Sequence, residues 1–494
     1  MTKVKNNSTG RIFKASILMI GTSAVSILVG IIRNKMVAVM LGPESIGLMG
    51  LLQSILNTAG TIAGAGLAIS GVRQLAEAQA IGDNQKITNT SNALLWTSVI
   101  LGLSGALLLI MLRKPIASLV FGHNNYAWAI TWIGIGVWAS IVSSSQTAVL
   151  NGLRRLVDLA KTYILGALGG LLITVLAVWH WRESGIIAAV ISTPLALFAA
   201  SWWLTRRIKA IHFSLSWKEM LKLLPGLFRM GFALMSASLV RAITQLAVRV
   251  LITRTLGMVA TGYFQAAWSI SMLYLGFILD AISKDYYPRL SAVAHDYKKT
   301  NAMVNEQIKV VLLMAGPVIL GMLTLCPQVV GLIYSGTFKE TAGILQWQVI
   351  GDLFKFVSWC MIFVLVVKER SRLFFVTELF WNLMYLALVY IGMSNWNLKA
   401  TGIAYFLTNV LYFCLIWIIV FRLNHFVWRK KNLLLLVALA MCAATISIAR
   451  FIPGIFSLVL GLTLTAAMSG FSLFKISRSL GGLPWNKGEN RNSH

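Results

Sequence analysis

Acidic side chains are scarce in this sequence, with 15 Asp and Glu among 494 residues against 43 Lys and Arg. That leaves little material for a carboxylate-rich catalytic or metal centre. The six histidines (His123, His180, His212, His295, His425 and His494) fall in loops, at the edges of apolar runs or in the tail. They form no H-E-x-x-H and no cluster with cysteine at ligand spacing, so no metal is expected. Four cysteines (Cys326, Cys360, Cys414 and Cys442) show neither C-x-x-C spacing nor a disulfide framework and read as packing residues. A Walker A run is missing, which argues against ATP hydrolysis by this chain. Long polar stretches are missing as well: loops stay within about 20 residues, too short for a soluble catalytic or binding domain.

Apolar length is what the sequence has in quantity. Hydrophobic residues make up 57% and charged residues 12%, and the mean hydropathy is +0.77, values foreign to a soluble globular chain. Fourteen windows are each long enough to cross a ~30 Å hydrocarbon core as a helix: 14–33, 46–70, 90–112, 126–149, 160–179, 185–204, 225–252, 260–281, 305–325, 345–367, 373–393, 400–421, 433–450 and 454–474. The first follows Lys3, Lys5, Arg11 and Lys14, as a secretory signal would, but no small-residue cleavage site follows it, and it is read as a retained span. The expected class is therefore an all-α polytopic membrane protein. With the N-terminus inside, 31 of the 43 basic residues fall on the cytoplasmic side. The dense clusters are Arg206, Arg207, Lys209, Lys218, Lys222 and Arg229; Lys368, Arg370 and Arg372; and Arg422, Arg429, Lys430 and Lys431. This is the positive-inside bias; it places both termini in the cytoplasm and accounts for the net charge of +28 without nucleic acid.

The chain also repeats. LGPESIGLMGLLQSI (41–55) aligns with LGMVATGYFQAAWSI (256–270) at an offset of 215, Arg73 with Arg289 at 216 and Gly185 with Gly402 at 217. Each half carries six windows, so both enter the bilayer in the same sense. The expected architecture is a six-helix lobe over 1–210, a second over 211–431, and two additional spans with a cytoplasmic tail over 432–494.

Polar residues inside the apolar windows are the candidates for function, since each charge at bilayer depth costs roughly 2.5 to 3.5 kcal/mol on insertion scales. QWQVIGDLFKFVSW (346–359) carries Asp352 and Lys355 three apart on one helical face, close enough to pair. A structural ion pair is the competing reading there, as a packing role is for Glu378 in RLFFVTELFWN. Asp280 reads as interfacial. Arg241, Gln245 and Arg249 fall within ~80° of one another at 100° per residue, and Ser23, Ser26, Gly30, Arg33 and Asn34 share a similar arc on the first span. Because these spans open the two halves, the repeat would set the two stripes against each other. Lys35 points off that arc, and Arg254 sits at the outer interface, where its side chain would snorkel. Arg33, Arg249 and Lys355 all fall in the outer half of the bilayer in this topology, and buried cations of this kind ask for an anion such as a phosphate or pyrophosphate headgroup. Glycine-rich GAGLAISG (64–71) follows no strand and reads as close helix packing.

At KMVAVMLGPESIGLMG (35–50), QSILNTAGTIAGAG (53–66), WQVIGDLFKFVSW (347–359) and RLFFVTELF (372–380) the sequence resembles the O-antigen-type polysaccharide flippases of the multidrug/oligosaccharidyl-lipid/polysaccharide exporter superfamily, particularly the lipid III flippases of enterobacterial common antigen synthesis. The resemblance extends over roughly residues 12–425. It implies a transporter, not an enzyme, that moves an undecaprenyl-pyrophosphate-linked oligosaccharide to the periplasmic leaflet of the bacterial inner membrane by alternating access. Lys35, Gln53, Arg254, Trp347, Gln348, Asp352, Lys355 and Glu378 match its pattern, so resemblance favours Lys35 on the first span where periodicity favours Arg33. The headgroup candidates are thus Arg33, Lys35, Arg241, Arg249, Arg254 and Lys355. Gln53, Gln245, Trp347 and Gln348 are the polar and aromatic cavity candidates, and Asp352 and Glu378 the ion-coupling pair. No cofactor is expected beyond a proton or sodium gradient, and a polysaccharide polymerase and chain-length regulator are the protein partners the resemblance implies. The two extra C-terminal spans depart from the twelve-span lipid III members and leave an O-antigen unit open as substrate. A multidrug exporter of the same superfamily, or a polymerase or ligase of lipid-linked sugars, are the competing functions; the first should need acidic groups for cationic drugs, the second a larger periplasmic segment.

Overall fold

The computed structural model describes residues 2–208, 217–450 and 455–480. Lys209 and His212 of the basic linker, and the tail 481–494 with His494, lie outside the described residues. Sixteen α-helices account for nearly all of the rest: α1 (Thr2–Gly64), α2 (Leu67–Ile81), α3 (Asn84–Met111), α4 (Arg113–Phe121), α5 (Ala127–Gly152), α6 (Leu156–Trp181), α7 (Gly185–Thr205), α8 (Trp217–Leu256), α9 (Met258–Ala292), α10 (Tyr297–Thr324), α11 (Cys326–Ile333), α12 (Lys339–Val367), α13 (Ser371–Trp396), α14 (Ala400–Asn424), α15 (Lys430–Ala449) and α16 (Phe456–Leu480). No strand occurs among the described residues, as expected where every backbone group must be satisfied without water.

Among the described residues eleven segments are long and apolar enough to cross a membrane, and the protein is multi-pass. Three of them, Leu18–Gly64, Leu156–Thr205 and Ser371–Asn424, run 47, 50 and 54 residues, over twice what one crossing needs. Each is interrupted. α1 breaks at Gly42, whose φ of 77° is open to glycine, with Pro43 behind it. Single 3-10 turns at Arg182–Ser184 and Asn397–Lys399 separate α6 from α7 and α13 from α14. Backbone breaks recur along the chain: Gly42 (φ 77°) and Gly257 (89°), Arg154 (54°) and Glu369 (55°), Arg182 (51°) and Asn397 (47°), each pair 215 positions apart. The connections 113–125 and 326–344 between the apolar windows are largely helical, in α4, α11 and the start of α12.

The chain divides into two compact units, one of Met1–Gln265 with Ile333–Thr337, the other of Ala266–Leu332 with Phe338–His494. In the first, Leu67, Leu75, Leu94, Val149, Leu150 and Leu159 form a buried cluster beneath α2, α3, α5 and α6. Small residues bring helices close: a side chain at Gly166 would meet Leu197, and one at Gly170 would lie 2.6 Å from Thr193 Oγ1. α1 and the start of α9 touch backbone to backbone, because a Cβ on Gly47 would strike Met258 O and one on Gly262 would strike Pro43 O. In the second unit α12 lies against α14 through Gly351 at Tyr405 and Phe406, and through Gly402 at Ile344.

The last two helices dock on α10. Side chains at Gly316 would meet Leu439 and Met468, and one at Gly461 would meet Thr324. An asparagine strap secures one end: Asn305 Nδ2 donates to Val427 O (2.9 Å), Arg429 N to Asn305 Oδ1 (2.8 Å), and Asn432 Nδ2 to Asn305 O (2.6 Å). Asn301 Nδ2 donates to His425 O (2.9 Å), while Asn424 Nδ2 donates to Asn301 Oδ1 (2.6 Å). At the other end Arg450 Nη2 donates to Leu323 O and to Thr324 O (3.2 Å), closing the C-terminal turn of α10.

Candidate functional site

The first unit places three cavities of different chemistry. One of about 200 Å³ lies between α1, α6 and α7 and is lined by Ser26, Gly30, Arg33, Tyr163, Thr193 and Leu197. The Arg33 guanidinium donates from Nη1 to Thr193 Oγ1 (2.6 Å), while its buried Nε has no hydrogen-bond partner. Ser26, Gly30 and Arg33 share one face as the periodicity predicts. That face turns to α6 and α7, however, and not to the stripe on α8; Thr193 and the small residues of α6 leave the room Arg33 takes. A second cavity, about 180 Å³, holds Glu44 and Glu183 with Tyr126 and Trp128. Burial, then the charges of Glu44 and Glu183, push the Tyr126 phenol above its ordinary value. The third, about 360 Å³, is lined by neutral groups of α1, α2, α5 and α8.

On α8, Arg249 is 5% exposed. Its guanidinium donates from Nη1 to Gln245 O (2.9 Å) and Gln245 Oε1 (2.8 Å), and from Nε to Gln265 Oε1 (2.9 Å). Phe264 lies beneath it, with the ring centroid 5.5 Å from Cζ. The structure thus joins Gln245 to Arg249, one turn apart, and adds Gln265, which sequence reasoning missed. Arg241 and Arg254 are exposed, and Arg254 extends over Gly122. Lys35 is half-buried. Gln53 Nε2 donates to Asn57 Oδ1 (3.0 Å) and so orients a second carboxamide.

In the second unit the charges of α12 meet a set of hydroxyls. Asp352 is wholly buried. Its Oδ1 accepts from Tyr405 Oη (2.6 Å), and its Oδ2 accepts from Ser271 Oγ (2.9 Å) and from Tyr274 Oη. Lys355 Nζ donates to the same Tyr405 Oη (3.0 Å) and stands 5.4 Å from the Trp381 ring centroid. The two charges that the sequence sets three apart are therefore linked through one phenol on α14. Trp268 and Trp381 stand edge-on to Tyr405, at 5.8 and 6.0 Å between centroids. None of the hydroxyl residues was singled out from sequence; isolated Ser and Tyr in apolar helices carry no signal there.

The remaining candidates separate. Trp347 packs on Phe406 at 5.7 Å. Gln348 is wholly buried, and both its side-chain polar atoms lack a hydrogen-bond partner. One turn before Asp352, it shares that residue's inward face. Glu378 is half-buried on α13, and its backbone carbonyl accepts from Asn382 Nδ2 (2.8 Å). Among the described residues no group of three or more His, Cys, Asp or Glu could hold a metal ion.

Comparisons with known proteins bear on the family and the fold. The chain is 24% identical over 416 residues to the lipid III flippase of Escherichia coli (strain K12), covering 81% of this chain and 96% of that protein. It is 22% identical over 419 residues to a putative O-antigen transporter of Shigella flexneri, covering 81% and 95%. Among solved structures, the lipid II flippase MurJ in an inward closed conformation superposes with a TM-score of 0.72 at 13% identity, covering 94% of this chain and 99% of that one. An inward-facing multidrug resistance MATE family transporter of the MOP superfamily superposes with a TM-score of 0.68 at 17% identity, covering 84% and 95%. The family described as polysaccharide biosynthesis protein matches residues 36–343, well over half of the chain, and the chain belongs to that family.

Proposed function

We propose that this protein is a flippase for a lipid-linked oligosaccharide, carrying an undecaprenyl-pyrophosphate-linked glycan from the cytoplasmic to the periplasmic leaflet of a bacterial inner membrane. The observation that carries the reading is Arg33. Its buried guanidinium in the α1, α6 and α7 crevice leaves Nε without a partner, and a buried cation in this state calls for a phosphate oxygen. The names of the relatives, a lipid III flippase and a putative O-antigen transporter, support a lipid-linked glycan as the substrate class; an enterobacterial common antigen unit or an O-antigen unit is the substrate in this reading. Arg249 and Lys355 are the further headgroup candidates. Two lobes, 1–210 and 211–431, alternate access around the substrate, with 432–494 accessory and both termini cytoplasmic. The recurring backbone breaks support this division.

Asp352 supplies the drive in this reading. Its carboxylate, ringed by Ser271, Tyr274 and Tyr405, exchanges a proton or sodium ion to power the return step, with Glu378 as the second candidate. Asp352→Asn with undiminished flipping and an unchanged dependence on the ion gradient removes that role. A polymerase and a chain-length regulator receive the flipped unit.

The deciding experiment uses cells lacking the gene, with lipid-linked oligosaccharide assigned to a leaflet by an impermeant probe on spheroplasts. Complete, unpolymerised units held on the cytoplasmic face are the expected result. Units that reach the outer face and stall there, or that are chemically incomplete, overturn the reading in favour of an enzyme of lipid-linked sugars.

A further inference from the structure

The largest of the three cavities in the first unit, about 360 Å³, is left unused by the reading above. Its polar wall is Asn57 and Thr61 of α1, Ser140, Ser144 and Ser145 of α5, and Ser238 of α8, and no Asp, Glu, Lys or Arg lines it. Glycines 60, 64 and 66 bare backbone along the same wall.

A second observation falls at the same place. α1 ends at Gly64, and the chain turns through two successive left-handed residues, Ala65 (φ 46°) and Gly66 (φ 69°), before α2 begins. Ala65 N donates back to Ile62 O (3.3 Å), but the other carbonyls of the last turn of α1 lose their i+4 donors at such an end. Interrupted helices in a membrane protein are tolerated where they are buried in protein or line a cavity, and such interruptions mark binding sites. The glycine-rich run read from sequence as close packing is thus of two kinds. Gly71 does pack, since a Cβ there would lie 2.7 Å from Leu94, whereas Gly64 and Gly66 end one helix and line a cavity.

The wall offers hydroxyls, one carboxamide and helix-end carbonyls, hence donors and acceptors together and no net charge. A phosphate would find no cation there, and an organic cation would find no carboxylate. A purely apolar ligand would strip water from the hydroxyls without replacing its hydrogen bonds. The volume, at the low end of the roughly 300–1,000 Å³ of ligand pockets, is far more than a bare ion needs. Asn57 is held for such a role: Gln53 Nε2 donates to its Oδ1 (3.0 Å), which leaves its amide hydrogens for a ligand.

We infer that this cavity is a saccharide subsite, taking a neutral sugar residue of the transported oligosaccharide apart from the Arg33 crevice that takes phosphate. The inference rests on the flippase reading and assigns one part of the substrate to one part of the chain.

Binding to the purified full-length protein tests it, with undecaprenyl-pyrophosphoryl N-acetylglucosamine and sugar-free undecaprenyl pyrophosphate as the two probes. The wild type is expected to bind the sugar-bearing lipid several-fold more tightly. The Asn57→Ala/Thr61→Val double variant should lose about tenfold on that lipid, as two neutral hydrogen bonds would, and stay within about twofold on the sugar-free one. Equal losses on both lipids, or none on either, overturn the subsite. A wild type that binds neither lipid refutes the flippase reading itself, a different result. If the double variant unfolds at lower temperature, Ser144→Ala and Ser238→Ala, both at exposed hydroxyls, replace it. Each should cost about threefold on the sugar-bearing lipid alone, and no such selective loss overturns the inference.

Discussion

Arg249 and Asp352 are two buried charges, one in each compact unit, housed by opposite means. Arg249 donates to carbonyl oxygens of Gln245 and Gln265, two of them on its own helix one turn away. Asp352 accepts from three hydroxyls, all of them on other helices, α9 and α14. The Arg249 guanidinium is long enough to fold back on its own helix, while the Asp352 carboxylate is met here by hydroxyls that other helices bring to it. The first arrangement is thus largely local and the second depends wholly on tertiary packing, so the two sites should answer differently to substitution.

The largest effect falls on Asp352. Asp352→Ala strands three hydroxyl donors, and at ~0.6 to 1.7 kcal/mol for each hydrogen bond within a membrane the loss should be about 2–5 kcal/mol, read as a drop in thermal unfolding temperature in detergent. A loss below about 1 kcal/mol would mean that Ser271, Tyr274 and Tyr405 re-pair among themselves, and the contrast with Arg249 would fail. Arg249→Lys comes next. It keeps the charge and loses the fork, so about 2 kcal/mol of headgroup or structural interaction goes, with flipping in cells down roughly 10- to 30-fold. Wild-type flux in that variant would show that charge alone suffices there.

Tyr405→Phe sharpens the comparison, since it removes one hydroxyl from Asp352 and the same hydroxyl from Lys355 while keeping the ring between Trp268 and Trp381. About 1 kcal/mol of stability is expected, and its effect should be non-additive with Lys355→Met in a double-mutant cycle. Strict additivity would break the link between the two charges. The smallest effect belongs to an exposed carboxylate outside the spans. Asp296 caps α10, and the backbone N–H of Lys299 foremost, with that of Lys298, holds its carboxyl below the ordinary range. A depressed carboxyl stabilises the fold above its unfolded value and loses that contribution as pH falls through the folded one. Asp296→Asn should therefore unfold slightly below the wild type at neutral pH, with the gap closing as pH falls below about 4. A gap that widens in acid would contradict the cap.

Much of this was legible beforehand, for reasons that differ by residue type. Arg33, Arg249, Asp352 and Lys355 announce themselves because a charge in an apolar run is costly and rare. The break at Gly42 is written in LGP, and the matching one at Gly257 follows from the offset. Arg154 and Glu369 adopt left-handed backbone with no sequence sign, since neither residue type favours it. The Asp352 shell could not be seen because Ser271, Tyr274 and Tyr405 lie on helices distant in sequence. Periodicity placed Arg33 on one face of α1 with Ser26 and Gly30 but could not say which helices that face would meet. Gln348 shows a further limit, since the sequence marks it as polar within an apolar run but gives no sign that both its side-chain polar atoms are buried without a partner.

The asparagine strap bears on how the chain is made. Asn305 and the Asn432 that satisfies it are 127 residues apart, and at ~5–20 residues per second of synthesis roughly 6–25 s separate their emergence from the ribosome. For that interval α10 has entered the membrane with its asparagines waiting, and the second unit is incomplete. The last two helices then act as a late closure on a partly assembled bundle, so a premature stop after Asn424 should yield a chain that inserts normally and is destroyed by quality control.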